Sequence, residues 1–271
     1  MSNKTETGTF WDHLDELRNV LLKTTAVAFL FAVVAFIFKG ILFEIVFAPK
    51  YDDFITYRWL EKIGGIFSEN AVDGFAVSLI NTGLAQQFVI HMKTAFCFGF
   101  LCASPYILYQ MFRFVSPALY ENERQYAVRV VGSGYLMFMV GVMIGYLLIF
   151  PLTFRFLGTY QVSEDVTNMI SLDSYMSTLV MICLAMGVVF ELPVISWLLA
   201  KLGLLNASFM QKYRKHSIVA ILVVAAIITP TSDVFTLLAV SLPMYLLYEL
   251  SIVLVRLTEK GRNVSYELNP A

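Results

Sequence analysis

Six long apolar runs, separated by short polar stretches, decide most of what this 271-residue chain can fold into. They fall at about residues 21–38, 94–112, 127–150, 175–200, 217–228 and 235–255. A straight helix needs about 20 residues to cross about 30 Å of hydrocarbon. The fifth run has only twelve before Thr229 and Pro230 end it. The bilayer thins there, or the polar ends of that run dip into it. Composition agrees: 58% of residues are hydrophobic and 14% charged, with a mean hydropathy of +0.72. A soluble domain of this size has no way to hide that much apolar surface. The expected fold is all-α: a polytopic membrane protein with six transmembrane helices.

Lysine and arginine orient it. With the N-terminus in the cytoplasm, 13 of the 19 fall on the inside and 6 on the outside, so both termini are expected inside. Residues 113–126 and 201–216 then become cytoplasmic loops. Residues 40–92 become an outer, periplasmic cap expected to hold one or two short helices. The first twenty residues are polar and mixed in charge, unlike a cleavable leader, so the first span is expected to stay in the membrane. Within residues 1–20, Phe10, Leu14, Leu17 and Leu21 recur at helical spacing opposite Asp12, Glu16 and Asn19. Thr9 and Asp12 have the spacing of a capping box. This amphipathic helix is expected to lie at the membrane surface and run into the first span.

Several chemistries are missing. There is no P-loop for a nucleotide and no H-E-x-x-H. His13, His91 and His216 are far apart. Cys97, Cys102 and Cys183 sit inside apolar runs with no ligand spacing, as small buried hydrophobes would. Neither a metal nor a cofactor is implied, and no nucleophile–base pair supports an enzyme such as an intramembrane hydrolase. A net charge of −1 gives no field for nucleic acid.

What remains is carboxylates in costly places. Glu191, in "FELPV", lies deep in the fourth span beside Pro193. A bare charge there costs about 2.5–3.5 kcal/mol on insertion scales, so it is either a buried structural hydrogen bond or a functional group. Glu249 in the sixth span can snorkel toward the cytoplasm. Asp233 before that span can cap it. At the cytoplasmic edge, Glu16, Glu121 and Glu123 lie near Phe114, Pro117, Leu119 and Tyr120. Arg18, Arg113 and Arg124 can neutralise them, or they can receive a basic ligand with an apolar continuation, since a guanidinium pairs with a carboxylate through two parallel hydrogen bonds. A proton-coupled secondary transporter using Glu191 and Glu249 is the alternative reading, although no inverted repeat supports it.

Five stretches carry a family resemblance: "HLDELR" (13–18), "ASPYILYQMFRFVSPALYENER" (103–124), "FELPV" (190–194), "ITPTSD" (228–233) and "LPMYLLYE" (242–249). Together and in order, they resemble TatC, the polytopic subunit of the twin-arginine protein translocase. "TGLAQQF" (82–88) departs from the family's pattern in lacking a proline and an acid.

The resemblance implies one transmembrane domain over residues 1–271, shaped as a cupped bundle in the bacterial inner membrane. It implies a receptor for twin-arginine signal peptides of folded proteins, which nucleates an export complex driven by the protonmotive force. Signal-peptide contacts carry over to Glu16, Arg18, Phe114, Pro117, Leu119 and Glu123. Glu191 carries over to an intramembrane groove, with Asp233 and Glu249 as further intramembrane polar groups. The implied partners are small single-span TatA- and TatB-like proteins docking along spans five and six, the signal peptides, membrane lipid, and further copies of the chain in a larger complex.

Overall fold

Between Phe10 and Ile37 the chain contains neither glycine nor proline, and it forms one unbroken helix there, α1. Nothing in that run frees a backbone carbonyl or removes a ladder bond, so no joint separates the polar first turns from the apolar remainder. The computed structural model describes residues 10–64, 78–115, 127–161, 163, 168–229 and 233–268. After α1 come α2 (Lys39–Phe47), a 3₁₀ turn (Ala48–Lys50), α3 (Ile55–Gly64), β1 (Leu79–Ile80) and α4 (Gln86–Val115). Then follow α5 (Ala127–Ile144), a π-helical stretch (Gly145–Ile149), α6 (Phe150–Thr159), β2 (Ile170–Ser171), α7 (Leu172–Val189), α8 (Leu192–Lys201), α9 (Ala207–Lys212), α10 (Arg214–Ile228) and α11 (Val234–Leu268). The two-residue strands pair in parallel, Leu79 with Ile170 and Ile80 with Ser171. Among the described residues the remaining regular structure is helical, as expected for an all-α chain.

Among the described residues, five helical stretches are long and apolar enough to cross a membrane: Leu14–Ile37, Gln86–Phe114, Val130–Thr159, Leu172–Lys201 and Val234–Lys260. The sixth expected span lies in α10, whose 15 residues rise only about 22 Å. The second span starts earlier than its apolar run. Gln86 Oε1 accepts from the backbone N–H groups of Thr82 and Gly83, each at 3.0 Å, and so fixes the entry of α4. Pro105 sits inside α4 and removes one ladder bond, the one to Leu101 O. The hydroxyl of Ser104 donates to that carbonyl at 2.7 Å, which keeps the helix continuous through apolar surroundings.

The contacts gather into two units: Met1–Phe38 with Ala95–Tyr135, and Lys39–Thr94 with Leu136–Ala271. In the first, α1 and α4 meet at small residues. A Cβ on Gly99 would lie 2.5 Å from Ala32 N and 2.7 Å from Ala28 O. Only glycine lets the two backbones approach this closely, which is how helices associate without a hydrophobic driving force between them. Phe29 and Phe96 pack beside the crossing, with ring centroids 6.2 Å apart.

In the second unit the most extensive packing is α8 against α11. Gly141 serves α5 and α7 as Gly99 serves the first unit: a Cβ there would lie 2.5 Å from Met186 O. Tyr175 fills the space between α6 and α7. Phe150 and Phe154 meet it edge-on at 5.1 and 5.0 Å, and its hydroxyl donates to Val46 O at 2.9 Å. Tyr57 anchors α3. Its hydroxyl lies 3.0 Å from Pro49 O and 3.2 Å from Pro151 O, and Arg155 sits over its ring at 5.2 Å. Burial holds that phenol above the usual range, so it donates at any ordinary pH. Thr56 Oγ1 donates to Leu147 O, a second tie between α3 and the helices that follow α5. Cys97 and Cys183 are buried as expected. Cys102 is exposed on α4, which corrects its reading as a buried hydrophobe.

Candidate functional site

The expected receptor residues divide between α1, the end of α4 and the segment after it. Pro117, Leu119, Glu121, Glu123 and Arg124 lie outside the described residues. Glu16, Arg18 and Phe114 lie within them, all in the first unit. A helix turns about 100° per residue, so Glu16 and Arg18 point about 200° apart. Arg18 rides beside Leu14 and Leu21, both exposed, whereas Glu16 faces the opposite way. The same ligand therefore does not meet both from one side.

The level of these groups follows from the Gly99 crossing. Glu16 lies 14 residues before the middle of Ala28–Ala32, about 21 Å along α1. Phe114 lies 15 residues after Gly99, about 22 Å along α4. Consecutive spans cross in opposite senses, so both lie at the same membrane face at matching heights. One turn before Phe114, Gln110 is buried, and its Nε2 donates to Tyr106 Oη at 2.6 Å. Sequence reasoning passed over Gln110. Its signal is the i, i+4 spacing of Tyr106, Gln110 and Phe114, which puts all three on one face.

Glu191 occupies the joint between α7 and α8. Pro193 has no N–H for Val189 O, and the fourth span breaks at Phe190–Glu191. The side chain is 8% exposed, and among the described residues its Oε1 has no hydrogen-bond partner. A buried, unpartnered oxygen is destabilising. Glu191→Leu is therefore expected to stabilise the protein by about 1–2 kcal/mol in a detergent thermal melt. A lower melting temperature than that of the parent would show that the carboxylate holds the joint together.

Asp233 caps α11: its Oδ1 accepts from Thr236 N at 2.7 Å. Asp233→Ala is expected to lose about 1 kcal/mol, and Asp233→Asn much less, since an amide oxygen still accepts. Equal melting of the two variants would remove the cap from the account.

Glu249 does not stand alone in its span. Arg214 Nη2 donates to its Oε2 at 2.6 Å, and Tyr245 Oη donates to its Oε1 at 3.1 Å. The ion pair ties the start of α10 to α11 and leaves Glu249 less suited to the proton relay that the transporter alternative requires. No group of three or more histidine, cysteine, aspartate or glutamate side chains able to hold a metal occurs among the described residues.

Comparison with known proteins agrees across sequence and structure. The family model for the Sec-independent protein translocase protein (TatC) matches residues 12–243. A protein of that name from Blattabacterium sp. subsp. Periplaneta americana is 33% identical over 257 residues, covering 93% of this chain and 96% of the relative. Its namesake from Aquifex aeolicus is 32% identical over 252 residues, covering 93% and 96%. A crystal structure of the twin arginine translocase receptor TatC superposes with a TM-score of 0.74 at 31% identity, over 91% of this chain and 99% of the other.

Proposed function

The chain belongs to the TatC family of Sec-independent protein translocase proteins, and on that footing we propose that it is the signal-peptide receptor of a twin-arginine translocase. It is a multi-pass membrane protein with a role in protein transport. In this reading it sits in the bacterial inner membrane with both termini in the cytoplasm. It binds the twin-arginine signals of folded proteins at the face where α1 begins and α4 ends. It then assembles with further copies of itself and with single-span TatA- and TatB-like proteins along α10 and α11. The protonmotive force drives export, in keeping with a chain that has no P-loop.

The observation that carries this reading is the matched height of Glu16 on α1 and Phe114 on α4, set by the Gly99 crossing. Phe114 offers apolar surface, and the carboxylates of Glu16 and Glu123 suit two guanidinium groups. Glu191 serves the later passage of the signal into the membrane, which explains why a destabilising group stands there. Photocrosslinkers placed one at a time at residues 114, 117, 119 and 123 test the receptor. An Arg–Arg signal peptide is expected to crosslink at these positions and to be displaced by unlabelled signal. Crosslinks that survive such competition, or that appear equally at Leu84, would refute the assignment.

A further inference from the structure

From Leu192 to Ser232 the chain carries four lysine or arginine residues and no acid. Arg214 is neutralised by Glu249; the other three are Lys201, Lys212 and Lys215. Two of these project past aromatic rings. Lys201 Nζ lies 6.0 Å from the Trp197 ring centre, and Lys212 Nζ lies 5.8 Å from that of Tyr213. Tyr213 is bracketed by Phe209 at 4.7 Å and His216 at 5.5 Å. Aromatic rings beside ammonium groups at a span's end mark the headgroup level of a bilayer.

The platform under them is fixed. Ala200, Ala207 and Met210 share a buried cluster with Ile252 and Val255 of α11. Tyr248 Oη donates to Met210 O at 2.7 Å, and Ala207 N donates to Glu259 Oε1 at 3.1 Å. Two acids of α11, Glu249 and Glu259, are thus engaged, while Arg256 and Lys260 add positive charge to that helix. α10 itself is about 22 Å long, about 8 Å short of the hydrocarbon thickness. A short helix thins the bilayer around it or draws its ends inward, which brings Lys212 and Lys215 level with lipid phosphates rather than bulk water.

We propose that Lys212 and Lys215, with the Tyr213 ring beside Lys212, bind the headgroup phosphate of an anionic phospholipid and seat α10 at a fixed depth. Both lysines are exposed. The proposal needs only that the chain is membrane-embedded, and it stands apart from the signal-peptide site.

Native mass spectrometry of the detergent-purified protein, titrated with phosphatidylglycerol or phosphatidylcholine, tests it. The Lys212→Gln/Lys215→Gln variant is expected to retain about tenfold less phosphatidylglycerol, with phosphatidylcholine unchanged. Lys212→Arg/Lys215→Arg should keep the parent's retention, and so should Lys39→Gln/Lys62→Gln. Equal phosphatidylglycerol retention in the Lys212→Gln/Lys215→Gln variant and the parent would overturn the proposal. So would equal loss in the Lys39/Lys62 variant, or complete displacement by inorganic phosphate, which would make this a free-phosphate site. Signal-peptide affinity, measured on the same samples, should not move. If it falls in step with lipid retention, the lysines belong to the receptor instead.

Discussion

Exchanging Glu123 for glutamine is expected to weaken binding of an Arg–Arg signal peptide by roughly 10- to 100-fold. A guanidinium is permanently charged and presents its donors as a planar fork. A carboxylate accepts two of them in parallel, and a hydrogen bond to a charged group is worth about 1.5–3 kcal/mol. Glutamine keeps the shape and removes the charge, so the difference isolates the electrostatic part. The site lies at the membrane edge and is partly wet, which favours the lower end of the range. Glu16→Gln should act in the same direction. Arg18→Gln should do less to the Arg–Arg contact, since Arg18 points about 200° away from Glu16. Glu121→Gln should also do little, because the family motif falls on Glu123. A Lys–Lys signal should bind the parent less well, since ammonium lacks the fork. Peptide affinity in nanodiscs at two salt concentrations measures all of this. An Arg–Arg signal held as tightly by the Glu123→Gln variant as by the parent would end the receptor assignment at that residue.

Five of the six expected spans show in the sequence because burial in hydrocarbon imposes a signal about 20 residues long that local structure cannot hide. Pro193 was plain in the sequence, and the joint in the fourth span follows from it, because Pro193 leaves Val189 O without its usual donor. Asp233 was legible as a cap for the same local reason. The sequence misjudged the start of the second span. Gln86, Gln87, His91 and Lys93 lower the hydropathy of a stretch that is nonetheless helical, because Gln86 caps it and Lys93 meets Asp173 at 3.3 Å. Nor did it find the partner of Glu249. Arg214 lies 35 residues away, and their meeting is a product of how α10 packs on α11. The proposed receptor residues rest on motifs alone. The divergence of Glu16 and Arg18, by contrast, follows once α1 is known to be one helix.

Gly99→Ala should destabilise the protein, whereas Gly132→Ala should stabilise it slightly, although both glycines lie in helices. Alanine is intrinsically better than glycine in a helix by about 1 kcal/mol, and it restricts the unfolded chain. Nothing lies within 4 Å of a Cβ built on Gly132, so that variant should gain about 0.5–1 kcal/mol. On Gly99 the same methyl meets Ala32 N at 2.5 Å and Ala28 O at 2.7 Å. These are backbone atoms of α1, which cannot turn aside as a side-chain tip would. The helices must separate, at about 1–3 kcal/mol for overpacking and with loss of the close contacts on either side of the crossing. The two variants should differ by about 1.5–4 kcal/mol in a detergent melt, with opposite signs about the parent. A functional consequence follows from the same geometry. The crossing sets the heights of Glu16 and Phe114 from about 21 and 22 Å away, so a shift at Gly99 is carried along two rigid rods to the proposed receptor. Gly99→Ala should therefore also lower signal-peptide affinity, and Gly132→Ala should leave it unchanged. If Gly99→Ala melts earlier but binds signal as tightly as the parent, the crossing supports the fold without setting the site. If the two variants melt alike, α1 and α4 are not as close as Gly99 requires.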